Sequence, residues 1–359
     1  MASSPPPVSI AMTMLAAPDW RLSSKSISTD ERKTIASRIF SVDLFSNGKR
    51  HIGENLDAYF SQWCMRLCQC CATDVCEDSY EHLLKAIAIL KKDKITTETF
   101  NAEYSALFPD ATSEEAETCM VLGTRLLCML KIGPMKGYFM PGTELSWAPH
   151  PTCNIREHIN AEFNTTFEAV DVKLPRLFNA VNLERIAGIR ICWTDNLIDH
   201  LKMRDDDTVV NIFYHAAFLK VQMNSPDSLL NPELIEETHR TLALLFPELD
   251  PEVHKWFAKA QLEFHLDPLT AKCGPLTTQD RRIENFKYWR DRLTILKEAF
   301  DESEPKSFSQ WWYDNRKGER WYTFWIAAAG FFLLILFGLI QCTTAIIQAW
   351  ASVKGLNSQ

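Results

Sequence analysis

Phe324-Trp-Ile-Ala-Ala-Ala-Gly-Phe-Phe-Leu-Leu-Ile-Leu-Phe-Gly-Leu-Ile340 is the stretch from which the rest of the chain is read. It sits inside a longer run, Trp321 to Val353, that holds no charged residue. A bilayer core takes about 20 apolar residues as a helix, rising about 1.5 Å each. Phe324 to Ile347 meets that length with residues left for tilt. A buried helix of a soluble protein is rarely so long, so rich in Phe and so uniformly apolar. The sequence therefore predicts a membrane-anchored protein with one transmembrane helix over 321–353 and a short tail, 354–359.

The flanks agree with that reading. Trp311 and Trp312 precede Arg316, Lys317 and Arg320, and then Trp321, Tyr322 and Trp325 follow. Indole and phenol rings favour the headgroup region, where Arg and Lys meet anionic lipid. Trp350 offers an anchor at the opposite interface. Within the span, Gly338, Cys342, Ala345 and Ala349 recur at spacings of four, three and four. Small residues on one face let two helices approach, so weak self-association through this seam is an expectation.

Ahead of the span the chain is long enough for one large or two small domains, being 359 residues in all. Its formal net charge is −8. A general nucleic-acid binder needs a basic face to displace counterions from phosphates, so the balance argues against that class. Residues 1–29 are rich in Ser and Pro and show no periodicity, which reads as disorder. No basic region precedes the short apolar run Ile10 to Ala17, so no cleaved signal peptide is expected. The body is then expected in the cytosol, where thiols stay reduced. The 11 cysteines are accordingly not read as a disulfide framework.

Helical patterning fills 30–133. Asp30 reads as the cap of a short helix. Leu56, Tyr59, Phe60, Trp63, Leu67 and Cys71 make one stripe over 54–72. Asp74 with Glu77, and Thr112 with Glu115, have the spacing of capping boxes. They open helices over 77–90 and over 112–131, with a shorter helix, 97–107, between them. Residues 134–151 are a Pro- and Gly-containing loop and mark the expected boundary within the body.

Residues 152–300 read as mainly helical with a small β element near 189–213. A helix is expected over 176–187. Ile189-Arg-Ile-Cys-Trp193 and Thr208-Val-Val-Asn-Ile-Phe213 read as strands, with a helix over 195–203 between them and another over 214–221. So short an intervening helix is not comfortable for a parallel crossover, so an antiparallel pair or two edge strands are equally possible. Asn231-Pro232 and Asp250-Pro251 are helix starts, each a cap residue followed by Pro. Ile283, Phe286, Trp289, Leu293, Leu296 and Phe300 predict one long amphipathic helix over 278–300. Residues 301–320 form the juxtamembrane segment.

Two constellations bear on chemistry. Cys64, Cys68, Cys70, Cys71 and Cys76 cluster in the first helical region. Zinc sites use paired knuckles, and no second knuckle with that spacing follows, so these residues read as a helix face, with S-acylation or metal as the alternatives. Asp195, Asp199, His200, the Asp205 to Asp207 triplet and His215 are the second. Carboxylates near imidazole supply acid–base or metal chemistry, but neighbours such as Asp199 and His200 diverge on a helix. The chain lacks G-x-S-x-G, a Gly-rich phosphate loop and H-E-x-x-H, so no cofactor or metal is expected.

The segment from Trp311 to Trp325, with its Trp-Tyr-Thr-Phe-Trp ending, resembles a group of fungal proteins that close on a similar element and a single transmembrane helix. Ile191 to Leu201, Asp205 to Asp207 and Phe213 to Leu219 look like a second block of the same group. The group carries no assigned activity. The resemblance implies architecture and a fungal origin, and it transfers no catalytic residue.

The fold expected is mainly α, with a small β element and one C-terminal span. The leading functional expectation is a tail-anchored interaction or scaffold module facing the cytosol, on endoplasmic reticulum or secretory membranes, with the bilayer and other proteins as partners. Lys306, Arg316, Lys317 and Arg320 before the span, against Lys354 after it, set that orientation. The rival is a membrane-tethered enzyme using Asp195, Asp199, His200 or His215. Convergence of three of these in one site would favour the enzyme.

Overall fold

The computed structural model describes residues 29–41, 56–62, 78–134, 142–147, 150–164, 172–303 and 318–356. The protein is mainly helical, with one small three-stranded sheet and one long C-terminal helix. The described residues group into two compact units, one from Met1–Asn160 with Ala217–Ile235, the other from Ala161–Ala216 with Glu236–Gln359. Of segment 134–151, the described residues 134, 142–147, 150 and 151 lie inside the first unit.

The first unit is built on α1 (Thr29–Phe40), a helical turn at 57–62, α2 (Asp78–Leu90), α3 (Thr97–Leu107), α4 (Ser113–Cys128) and α5 (Ile155–Ala161). The expected cap of α4 is formed, and α3 carries an unforeseen capping box between Thr96 and Thr99. The Thr112 amide donates to Glu115 Oε2 at 2.7 Å, and the Glu115 amide donates to Thr112 Oγ1 at 3.2 Å. These bonds satisfy two amides that a helix start leaves unpaired. α4 packs on α2 at Gly123, where an added Cβ would lie 2.9 Å from Leu90 Cδ1. A larger residue there would have to displace the Leu90 side chain. The helix expected to reach Lys131 stops at Cys128, with Met129 left-handed at φ 50°. Buried Arg125 draws the chain back there, donating from Nε to Ile132 O at 2.8 Å and from Nη2 to Gly133 O.

The helix expected over 54–72 is described only at 57–62, where Leu56, Tyr59 and Phe60 are buried as the stripe requires. Cys64, Cys68, Cys70, Cys71, Cys76 and the Asp74–Glu77 cap lie outside the described residues.

In the second unit, α6 (Ala180–Arg185) precedes β1 (Arg190–Thr194), β2 (Met203–Arg204) and β3 (Val209–Phe213). β3 is the central strand and is buried along its length. β1 pairs with it in parallel, Arg190 opposite Val209 through Thr194 opposite Phe213, and β2 pairs antiparallel on its other edge. Of the arrangements the sequence left open, β1 and β3 take the parallel one, with β1 at an edge of the sheet. The crossover is a strand-and-turn segment, not a helix.

The helix expected over 195–203 is a single 3₁₀ turn, Leu197–Asp199. Leu201 turns left-handed at φ 59°. Its amide donates to Asn211 O at 2.8 Å, and the Asn211 amide donates to Lys202 O at 3.0 Å. Pairing with β3 therefore takes the groups a helix would have used. Asp205, Asp206 and Asp207, all left-handed, close the β2–β3 hairpin.

α7 (Ala216–Met223) belongs, but for its first residue, to the first unit; α8 (Pro232–Leu245) and α9 (Pro251–Phe264) come next in the chain and start at the expected prolines. The long helix expected over 278–300 is broken. A 3₁₀ turn covers Ile283–Asn285, and α10 spans Arg290–Glu302. The six predicted inward residues, Ile283 through Phe300, are nonetheless all buried. The last helix, α11 (Gly318–Leu356), contains a 30-residue apolar segment, Tyr322–Ala351, with mean hydropathy 2.4 and none of its most apolar window buried.

Candidate functional site

The break before α10 has a cause on α8. Glu237 is 2% exposed, and its carboxylate accepts three successive amides, Lys287 N at 2.7 Å, Tyr288 N at 2.8 Å and Trp289 N at 2.7 Å. Those amides stand at the start of α10, where a helix leaves N–H groups unpaired and carries partial positive charge. Burial pushes the Glu237 carboxyl above the usual carboxylate range, and the three amides and Arg240 pull it back.

The same face of α8 holds two further polar anchors, Thr238 and Thr241, both fully buried. The Trp289 indole donates to Thr238 Oγ1 at 2.9 Å. The Thr241 hydroxyl donates to Thr238 O at 2.6 Å, which leaves its oxygen to accept from His200 Nε2 at 2.7 Å. His200 Nδ1 accepts the Phe213 amide of β3 at 3.1 Å. Those bonds fix His200 as the neutral tautomer protonated on Nε2. Burial, helped by the Arg292 charge, pushes its pKa down to about 3. Arg292 lies over the Trp289 ring, 5.2 Å from its centroid, and donates to Ile198 O and His200 O, each at 2.6 Å. It thus clamps the 3₁₀ turn on which Asp199 sits. Asp199, 2% exposed, accepts from Asn196 Nδ2 at 2.9 Å and lies within electrostatic reach of Arg292.

The structure brings one predicted pair together. Asp195 Oδ1 lies 2.6 Å from His215 Nε2, with the imidazole 1% exposed and the carboxylate 23% exposed. His215 stacks on Tyr214, ring centroids 4.2 Å apart, and its Nδ1 is buried with no hydrogen-bond partner among the described residues. Asp199 and His200 are committed elsewhere, one to Asn196 and the other to Thr241 and Phe213. The four residues of the rival reading are thus divided among separate partners. Asp205, Asp206 and Asp207 are exposed. Among the described residues no group of three or more His, Cys, Asp or Glu side chains is placed to hold a metal ion.

Sequence reasoning missed Glu237, Thr238, Thr241 and Arg292. The available signal was that Leu234, Thr238, Thr241 and Leu245 share one stripe of α8, which sets two hydroxyls in an apolar row.

On α11 the geometry is the reverse, with apolar side chains facing outward. Leu334 is 71% exposed, Phe331 and Phe332 67%, and Ile346 67%. Arg320 and Trp321 fall at the start of this helix, and Tyr322, Trp325 and Trp350 lie along it. Trp311, Trp312, Arg316 and Lys317 lie outside the described residues. Gly338, Cys342, Ala345 and Ala349 share one face by their spacing, and a methyl group added at Gly338 would meet nothing within 4 Å. The hydroxyls of Thr343 and Thr344 donate back to Ile340 O at 2.8 and 3.0 Å. No family model, curated protein or solved structure matches the chain.

Proposed function

We propose that this protein is a tail-anchored interaction or scaffold module, its helical body held on the cytosolic face of a secretory-pathway membrane, in keeping with the fungal proteins it resembles. The observation that carries the reading is the outward apolar surface of Tyr322–Ala351, none of whose most apolar window is buried and which suits a hydrocarbon solvent. Arg316, Lys317 and Arg320 before the span, against Lys354 after it, support the orientation. The saturated bonding of His200, and the commitment of buried Asp199 to Asn196, support an architectural role for the polar centre, and so a body that works through its surface.

The test is topological. An N-glycosylation acceptor fused after Gln359 should be modified in microsomes, and added protease should digest the body while sparing the tail. A protected body with a digested tail would invert the orientation.

The Asp195–His215 pair is the observation that favours the rival, a membrane-tethered enzyme. An activity abolished by Asp195→Asn in a still-folded chain would make that reading the better one.

A further inference from the structure

We infer that the span is matched to a thick bilayer, of the kind rich in sterol and sphingolipid, and not to the thinner endoplasmic reticulum membrane. This rests on the membrane reading above and names the lipid environment that the span selects.

The argument is one of length. α11 is continuous from Gly318 to Leu356 and contains no proline, so it has no proline kink with which to shorten itself. Trp325 and Trp350 are the tryptophans that bracket its apolar centre. At 1.5 Å per residue they stand about 37 Å apart along the axis. With both rings at the hydrocarbon edge, an endoplasmic reticulum core of about 27 Å demands a tilt of about 44°, beyond the range of about 0–40° that spans adopt. A surface-membrane core of about 33 Å needs only about 28°.

A shorter reading would end the membrane segment at Ile340, before Gln341. Tyr322 to Ile340 is about 27 Å long and would match a thin bilayer. The bonding beyond Ile340 favours the longer segment. Thr343 and Thr344 return their hydroxyls to the carbonyls of Ile340 and Gln341, so these two side chains present methyl groups instead of unpaired donors. Ile346 and Ile347 then expose apolar surface again before Trp350.

The experiment uses the full chain reconstituted in phosphatidylcholine bilayers from dimyristoleoyl to dierucoyl chains, each mixed with a dibrominated lipid that quenches tryptophan. Relative lipid affinity should rise with chain length and be at least about twofold higher for the longest lipids than for the shortest. A variant lacking Leu333–Leu336, one helical turn, should move the preference towards shorter chains. A maximum at short or middle lengths, unmoved by that deletion, would overturn the inference in favour of the segment ending at Ile340. Absence of quenching by any brominated lipid would instead sink the membrane reading itself, so the two failures are distinct.

Discussion

The inward face of α8 and the outward surface of α11 invert each other. α8 buries a carboxylate and two hydroxyls, and α11 exposes phenylalanine, leucine and isoleucine. Each is tolerable only because of what surrounds it. Glu237, Thr238 and Thr241 have partners for their polar atoms, so their burial does not need a ligand to explain it. The most apolar window of α11 is not buried at all, and that exposure does need a second medium to explain it. The lesson is that a buried polar group signals function only when its bonding is incomplete. By that measure Glu237, Thr238 and Thr241 are architecture, whereas His215, whose Nδ1 is buried without a hydrogen-bond partner among the described residues, is not closed off in the same way.

The largest test of the comparison is Glu237→Ala. It strips three buried amides of their acceptor and should cost about 3–5 kcal/mol in urea unfolding of the detergent-solubilised chain. Glu237→Gln keeps one acceptor oxygen and should cost less, about 1–2 kcal/mol. Equal effects would mean that the carboxylate does not organise the start of α10.

Arg292→Met comes next. It keeps the stem over Trp289 but removes two charge-assisted bonds to carbonyls, for an expected loss of about 2–3 kcal/mol by the same measurement. A change below about 0.5 kcal/mol would detach the 3₁₀ turn from this clamp.

His200 makes a pH-dependent contribution. Its folded-state pKa lies near 3, below its unfolded value, so the unfolded chain takes up a proton that the folded chain excludes. Stability should therefore fall as pH drops from about 6.5 towards 3, by about 2 kcal/mol between pH about 7 and about 5. Glu237, whose folded pKa is raised, works in the opposite sense, adding stability at low pH that is lost as pH rises through its folded value. The measurement is thus the difference in pH slope between wild type and His200→Gln. Parallel slopes would show that the imidazole is not held neutral.

The smallest effect belongs to Asp195→Asn. The carboxylate is partly solvated and an amide oxygen can still accept from His215, so the loss should stay below about 1 kcal/mol. A loss of several kcal/mol would place Asp195 inside the polar centre and not at its edge.

Much of the fold was legible where the signal is local. Thr112 with Glu115 and Asp250 with Pro251 marked helix starts that formed as expected, because a cap is decided within four residues. The span was legible because length and hydropathy are properties of a continuous stretch. The misreadings share a non-local cause. Residues 278–289 carry a helical stripe, but Glu237 takes the amides of 287–289, and the Ile283 amide donates to Val172 O. Residues 195–203 carry one too, but β3 claims the backbone at Leu201 and Lys202. Of the site, the Asp195–His215 pair was visible as residue types and not as a contact. Glu237 was not visible, because it stands beside Glu233 and Glu236 and reads as part of a solvated helix face.

The central claim, that exposed Tyr322–Ala351 is an anchor while the polar centre is internal architecture, is tested most directly by alkaline carbonate extraction of membranes from cells expressing the full chain. The account predicts that the wild type stays in the membrane pellet. A double variant, Leu334→Arg with Phe337→Arg, should release a folded chain into the supernatant, since each arginine costs about 2.5–3.5 kcal/mol at mid-bilayer. A wild-type chain extracted by carbonate, or a doubly charged variant retained in the pellet, would contradict it.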